Sequence, residues 1–309
     1  MDTVLRTPAG GDGMSDPITE ALARAGDPAV AIDLLHQASD ALRDAPERRG
    51  ACMVLPSHGR LLVTGDLHDH PVHLARIIRA ARLPEARDHY VVLHELIHGE
   101  RLINGVDLSH RMLLRLAALV CAHPGQVVPI LANHEIAQFA GYSISKGAGN
   151  SIELFDAGIE FVYQDEAGAV REAMNDFMRS WPLALRTGNG VLCAHSLPAD
   201  RLLEHFDAGV MDRSLTPRDF DKPHGAAYLM TWGRGYLEQS VPMLAEQWSV
   251  DLFCLGHMSV ETGLETRGDR VVVLNSDHEA GAVLPLDLAA DVPGIDELPY
   301  MKIPLQSLP

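Results

Sequence analysis

The chain lacks any long apolar run, and no window approaches the ~18 consecutive apolar residues that a membrane-spanning helix needs. Its first twenty residues also lack the basic start and apolar stretch of a signal peptide. These absences lead to the expectation of a soluble, cytoplasmic protein with no membrane partner. Cysteine is sparse: Cys52, Cys121, Cys193 and Cys254 are scattered through apolar stretches with no CxxC spacing. That argues against disulfides or a thiolate metal site and suits buried free thiols in a reducing compartment. Basic residues are few as well. Lys and Arg number 25 against 42 Asp and Glu, a net charge of −17. No local basic patch offsets it, which argues against nucleic acid as a partner.

What the chain does have is length and apolar content. With 309 residues, 47% of them hydrophobic, it can bury a full core. Residues 1–27, rich in Gly, Pro, Ser and Asp, are expected to form a flexible tail with at most one short helix. A single domain is expected over residues 28–286, and the proline-bearing stretch 287–309 is expected to lie along the surface. No internal repeat is present, and nothing in the sequence speaks to oligomeric state.

Hydrophobic periodicity predicts a helix over Pro28–Ala45, then an alternation of elements. Arg60–Thr64 is β-like and ends in Gly65-Asp66, Pro71–Leu83 has helical spacing, His89–Leu93 is again β-like, and Leu108–Ala122 is an amphipathic helix. Val127–Leu131 makes a third strand. This βαβαβ order implies parallel strands, and open α/β sheets place ligands beyond the carboxyl ends of their strands. After a loop at Tyr142–Asn150, in which Gly147 and Gly149 lack the context of a phosphate loop, further strands are predicted. They cover Leu183–Arg186, Val191–Ala194, Leu252–Leu255, Gly263–Thr266 and Arg270–Asn275, the last two flanking a turn at Arg267-Gly268-Asp269. The expected architecture is α/β, with two mixed sheets packed face to face and flanked by helices.

Five of these strands end in side chains able to bind metal: Asp66 and His68; His94, Glu95 and His98; Asn133 and His134; His195; and His257. One histidine after a strand is usually a structural residue. Five such clusters at one sheet edge are a different matter. Carboxylate, imidazole and amide oxygen suit borderline divalent ions such as Mn, Fe, Zn or Co.

The order of these clusters, GDLHDH from Gly65, HELIHGE from His94, ANHE from Ala132, AHS from Ala194 and GH at Gly256, resembles that of the calcineurin-like metallophosphoesterases. It is most similar to the PPP-type phosphoprotein phosphatases, whose last motif is likewise GH. Leu229–Arg234 and Asn275–Ala282 also look like stretches of that branch. The resemblance implies a four-layer α/β/β/α sandwich that hydrolyses a phosphate monoester on two divalent ions, Mn favoured. It implies Asp66 and His68 on one ion, Glu95 as the bridge, and Asn133, His195 and His257 on the other. A bridging hydroxide would attack phosphorus. His134 would be the general acid and Arg234 would grip the phosphate. The implied partner is a phosphorylated substrate, whether a phosphoprotein, a nucleotide or a dinucleoside polyphosphate. Specificity would lie in loops such as Phe139–Gln164 and His205–Lys222.

The second motif departs from the family. His94 replaces a glycine and Glu95 the bridging aspartate. His98 stands in place of the acid partner of the catalytic histidine, and Gly99 in place of a phosphate-binding arginine. Substrate grip then falls to Arg101 or Arg234, and a metal-binding pseudo-phosphatase acting as an interaction module becomes an alternative. The same stretch, His94-Glu95-Leu96-Ile97-His98, spells HExxH, which on a helix would bind one zinc for a peptidase. Asp69, His70 and Glu135 are read as supporting or solvated groups, with Glu135 orienting its neighbours.

Overall fold

The computed structural model describes residues 17–308 apart from positions 144, 147 and 148. Two mixed sheets form its centre. The five-stranded sheet has the order Ile303–Pro304, Ala282–Asp287, Arg60–Asp66, His89–His94, Val127–Ile130, the last three parallel. The seven-stranded sheet has the order Arg48–Arg49, Cys52–Leu55, Ala184–Thr187, Val191–Ala194, Leu252–Leu255, Val271–Leu274, Leu264–Arg267. Its last two strands make the expected hairpin, turning at Gly268 with φ +63°.

Strand alternation divides the core into layers. Leu61, Val63, Tyr90, Val92, Val128 and Ile130 of one sheet meet Met53, Leu185, Cys193, Cys254, Val272 and Leu274 of the other. The intervening residues, such as Leu62, Val91, Leu93, Phe253, Val271 and Val273, point outward beneath helices. Each sheet is therefore covered on both faces, which is why its strands are near-continuous apolar runs. Helix Pro28–Arg43, capped by Asp27 accepting from the Ala29 amide at 2.9 Å, packs on helices His110–Ala122 and Ala167–Arg179. All four cysteines are free thiols, and three are buried. No helix among the described residues is long and apolar enough to cross a membrane.

The short helix allowed for the N-terminal stretch is present, and the C-terminal stretch is partly built into the core. Residues 1–16 lie outside the described residues, but Pro17–Arg24 is a helix whose Ile18, Ala21 and Leu22 rest on the core. Tyr163 Oη donates to the Ala25 carbonyl at 2.7 Å and fastens the end of that segment. At the other end, Leu288, Leu298 and Leu305 are fully buried, and Ile303–Pro304 adds a strand beside Ala282–Val283. Composition pointed to a tail, yet three buried leucines outweigh the prolines. In the expected loop Tyr142–Asn150, of which positions 144, 147 and 148 lie outside the described residues, Ser145–Lys146 pairs with Gly149–Asn150.

One irregularity prepares the site. Between strands Arg60–Asp66 and His89–His94 the register shifts, Val63 facing Val92 but Asp66 facing His94. The extra residue is a bulge, a device that re-aims the side chain that follows it. Immediately beyond, Asp66 bridges to Asn275 of the other sheet, and the Ser276 amide donates to the Asp66 carbonyl at 3.0 Å. A Cβ on Gly65 would collide with the Leu274 carbonyl and lie 2.5 Å from the Asn275 nitrogen. Glycine thus lets the two sheets meet behind Asp66.

His110 carries a separate cost. It is fully buried between the Phe155 and Tyr163 rings, and neither ring nitrogen has a protein hydrogen-bond partner. Burial first, then Arg111, pushes its pKa from 6.5 down to about 4, against a smaller opposing pull from Asp107. A histidine with a depressed folded pKa loses nothing to proton uptake above pH 6.5 and destabilises increasingly as pH falls from 6.5 toward 4, by roughly 3 kcal/mol at the lower end. His110→Phe is expected to remove that loss. Thermal unfolding at pH 7.5 and 4.5 checks this: the variant should show a smaller drop in Tm than the parent, and an equal drop would refute the assignment.

Candidate metal centre

Every predicted cluster lies at the carboxyl end of its strand, and the ends converge. Asp66 closes Arg60–Asp66, His94 closes His89–His94, and Glu95 follows it. Asn133 and His134 open the helix Asn133–Ala140 after Val127–Ile130, while His195 and His257 follow Val191–Ala194 and Leu252–Leu255. Asp66, His68, Glu95, Asn133, His134 and His257 line one cavity of about 1040 Å³. His94 and His195 lie directly behind it, at 2% and 0% exposure.

The backbone is bent to achieve this. His68, Asp69, Glu95, His98 and His257 all have positive φ, between 39° and 66°. L-residues rarely adopt such angles, and they recur where surrounding structure forces a functional geometry. Glu95, one methylene longer than the aspartate of the family's motif, sits at φ +50°.

Glu95 is the hub. Its Oε2 lies 3.6 Å from His68 Nε2 and 3.5 Å from His195 Nε2, and its Oε1 lies 3.5 Å from His134 Nε2. Asp66 Oδ1 lies 3.8 Å from His94 Nδ1 and 3.6 Å from His195 Nδ1. These separations are too long for hydrogen bonds. They match the spacing of donor atoms that share a divalent ion at ~2.0–2.2 Å each. Two groups, Asp66 with His94 and His195, and His68 with Glu95 and His134, are compact enough to hold an ion. The far side of the His68 ring is anchored as that of metal-binding histidines usually is, its Nδ1 3.3 Å from the Ile97 carbonyl and its Nε2 toward Glu95. Burial holds His94 below the usual histidine pKa and His195 well below it, and pushes His257 down to about 4. The imidazoles are therefore neutral lone-pair donors at neutral pH, and the donor set fits a divalent cation.

The supporting residues explain the departures in the second motif. Gly99 has no room for a side chain, since a Cβ there would lie 2.6 Å from the His68 carbonyl and 2.7 Å from Asp69 Cβ. Arg101 instead pairs with buried Asp69 at 3.0 Å. His98 Nδ1 lies 3.1 Å from Asp107 Oδ2, and its ring centroid lies 5.5 Å from that of His134. Arg234 Nε donates to His257 Nε2 at 3.2 Å, so the His257 proton is on Nδ1, 3.1 Å from Asn133 Oδ1. The HExxH arrangement does not form. His94 ends a strand rather than lying on a helix, Glu95 and His98 have positive φ, and the two rings have separate partners, His195 and Asp107.

Asp107 is the site residue that sequence reasoning missed. It lies in a two-residue strand, Val106–Asp107, where no motif marks it. The available signal was a lone acid just before the amphipathic helix that begins at His110. Its Oδ1 accepts from the Ser109 amide at 2.7 Å, and Ser109 Oγ accepts from the His98 amide at 3.0 Å. Glu135, which the NHE motif singled out, is fully buried and accepts from the Leu96 amide at 2.8 Å and the Ile97 amide at 3.4 Å. Burial raises its pKa to about 7. It clamps the loop that carries Glu95 and His98. Glu135→Ala is expected to cost about 1–3 kcal/mol from stranded amides and to lower metal affinity, whereas Glu135→Gln keeps an acceptor and loses less. Denaturant titration and calorimetry check both; equal losses would refute the clamp.

This architecture and this edge of acids and imidazoles define a metal-dependent phosphoric ester hydrolase. The chain belongs to the calcineurin-like phosphoesterase family, whose sequence profile matches residues 59–261. No curated protein sequence matches it significantly. Among solved structures it resembles a protein serine/threonine phosphatase from Saccharomyces cerevisiae with similarity to human phosphatase PP5. The TM-score is 0.63 at 14% identity, over 87% of this chain and 89% of that one. It also resembles a cold-active protein-tyrosine phosphatase of a psychrophilic Shewanella species, with TM-score 0.55 and 15% identity over 76% and 77%. These likenesses establish the metallophosphoesterase fold.

Proposed function

We propose that the chain hydrolyses a phosphate monoester, with phosphoprotein Ser/Thr phosphatase-like chemistry, on a pair of divalent ions, manganese favoured. The carrying observation is the convergence of donors from Asp66 to His257 on one open cavity. Asp66, His68 and Glu95 would hold one ion and Glu95, Asn133, His195 and His257 the other. Bound there, the ions supply Lewis acidity to the phosphoryl oxygens and lower the pKa of a coordinated water.

The chain's own groups handle protons and position. His134, with Nε2 facing the cavity side of Glu95, is suited to protonate the leaving oxygen. Behind it His98 would stand in for the missing acid partner, its ring centroid 5.5 Å from that of His134, and buried Asp107 holds the His98 proton on Nδ1. His257 can lend Nδ1 to a cation only if its proton moves to Nε2, which breaks the Arg234 contact. Ion binding would then release that guanidinium for the phosphate.

Metal analysis and turnover test the reading together. About two ions per chain and hydrolysis of p-nitrophenyl phosphate with added Mn²⁺ are expected. Ion binding without turnover would instead favour the pseudo-phosphatase, a reading that gains weight from Gly99, where the family's phosphate-binding arginine is missing and a Cβ would lie 2.6 Å from the His68 carbonyl. Absence of both would overturn the proposal.

A further inference from the structure

His94 occupies a position for which the two-ion arrangement has no use, yet it is buried at the centre of the edge. Its Nε2 lies 2.8 Å from the Thr64 carbonyl oxygen. A carbonyl oxygen only accepts, so that nitrogen carries the proton, and a neutral His94 is left with a bare Nδ1. That bare Nδ1 lies 3.2 Å from His195 Nδ1. On its other side, His195 Nε2 lies 2.7 Å from Asn133 Oδ1 and 3.5 Å from Glu95 Oε2. His195 therefore has acceptors at both nitrogens and, as a fully buried neutral ring, one proton to give. One proton cannot serve both contacts, so one of its two edges is left as a lone pair able to meet a cation.

The cavity decides which edge. Asp66, Asn133, Glu95 and His257 line it, and His195 Nε2 faces the Asn133 and Glu95 oxygens there, whereas His94 and the Nδ1 edge of His195 are buried behind it. An ion that meets substrate has to lie on the Nε2 side. We infer that His94 is a positioning residue: the chain Thr64 carbonyl, His94, His195 holds the His195 proton on Nδ1 and presents Nε2 to the ion. Backbone carbonyls and carboxylates commonly play this part behind metal-binding histidines. Here a second imidazole relays the carbonyl's preference one residue further. Gly256 makes the space, since a Cβ there would strike the Asp66 carboxylate and lie 2.5 Å from His94 Cε1.

The inference rests on the proposed ion site but is read out by ion binding and tautomer rather than by activity. In the ¹⁵N-histidine-labelled full chain loaded with Zn²⁺, long-range ¹H–¹⁵N spectra should show His195 protonated on Nδ1 and metal-shifted at Nε2, with His94 protonated on Nε2 and not metal-shifted. By calorimetry, His94→Leu should weaken Zn²⁺ binding about 10–100-fold. His94→Gln should restore it to within a few-fold, because its amide can donate to Thr64 and accept from His195. A metal shift at His94 Nδ1, or a glutamine variant as weak as the leucine one, would overturn the inference and make His94 itself a ligand. If the parent chain bound no Zn²⁺, the ion site itself would fail. Normal binding by His94→Leu would sink the positioning role alone.

Discussion

Turnover of p-nitrophenyl phosphate in Mn²⁺ is expected to fall by about 10³-fold or more in Asp66→Asn, because a lost ligand removes several kcal/mol of charge stabilisation in the transition state. The asparagine is nearly isosteric and can still accept from the His257 amide, which donates to both Asp66 oxygens at 3.1 and 3.0 Å. The fold should therefore persist, as circular dichroism would check, while ion content drops. His257→Ala is expected to abolish turnover likewise, and His94→Ala to weaken it. Unchanged rates in Asp66→Asn and His257→Ala would remove the basis for the phosphoesterase reading, because these two residues come from different sheets and meet only at the proposed centre.

The second large effect separates chemistry from scaffolding. Asp107→Asn keeps an oxygen for the Ser109 amide but turns an amide N–H toward His98 Nδ1, reversing the tautomer that His98 shows to His134. If His134 donates the proton to the leaving group, phenyl phosphate should suffer most. Its phenol, with a pKa close to the ~10 of tyrosine, needs that proton, and a loss on the order of 10²-fold in kcat is expected. p-Nitrophenyl phosphate, with a far better leaving group, should slow much less. A scaffolding role for Asp107 would slow both substrates equally, and that result would strike out the relay through His98.

The strands and the ligand order were legible in the sequence because each motif is local. A β-run followed at once by Asp, His or Asn places a polar group at a sheet end, and GDLHDH, ANHE and GH each do so within a few residues. The burial within the C-terminal stretch was not legible because burial is not local. Leu288, Leu298 and Leu305 are unremarkable between prolines until a core lies beneath them. The second motif was legible as a set of departures and not as an arrangement. That Gly99 has no room for arginine depends on the His68–Asp69 backbone packed against it from another strand end.

The sequence by itself determined the family, the alternation that covers two sheets on both faces, and the types of donor available to a cation. These follow from residue chemistry and spacing along one dimension. Only the tertiary structure decided which way each imidazole faces, that His94 backs His195, and that Asp107 backs His98. A ring nitrogen's role is set by what lies within about 3 Å of it, and for the site histidines those neighbours come from strands and loops as much as 124 residues apart.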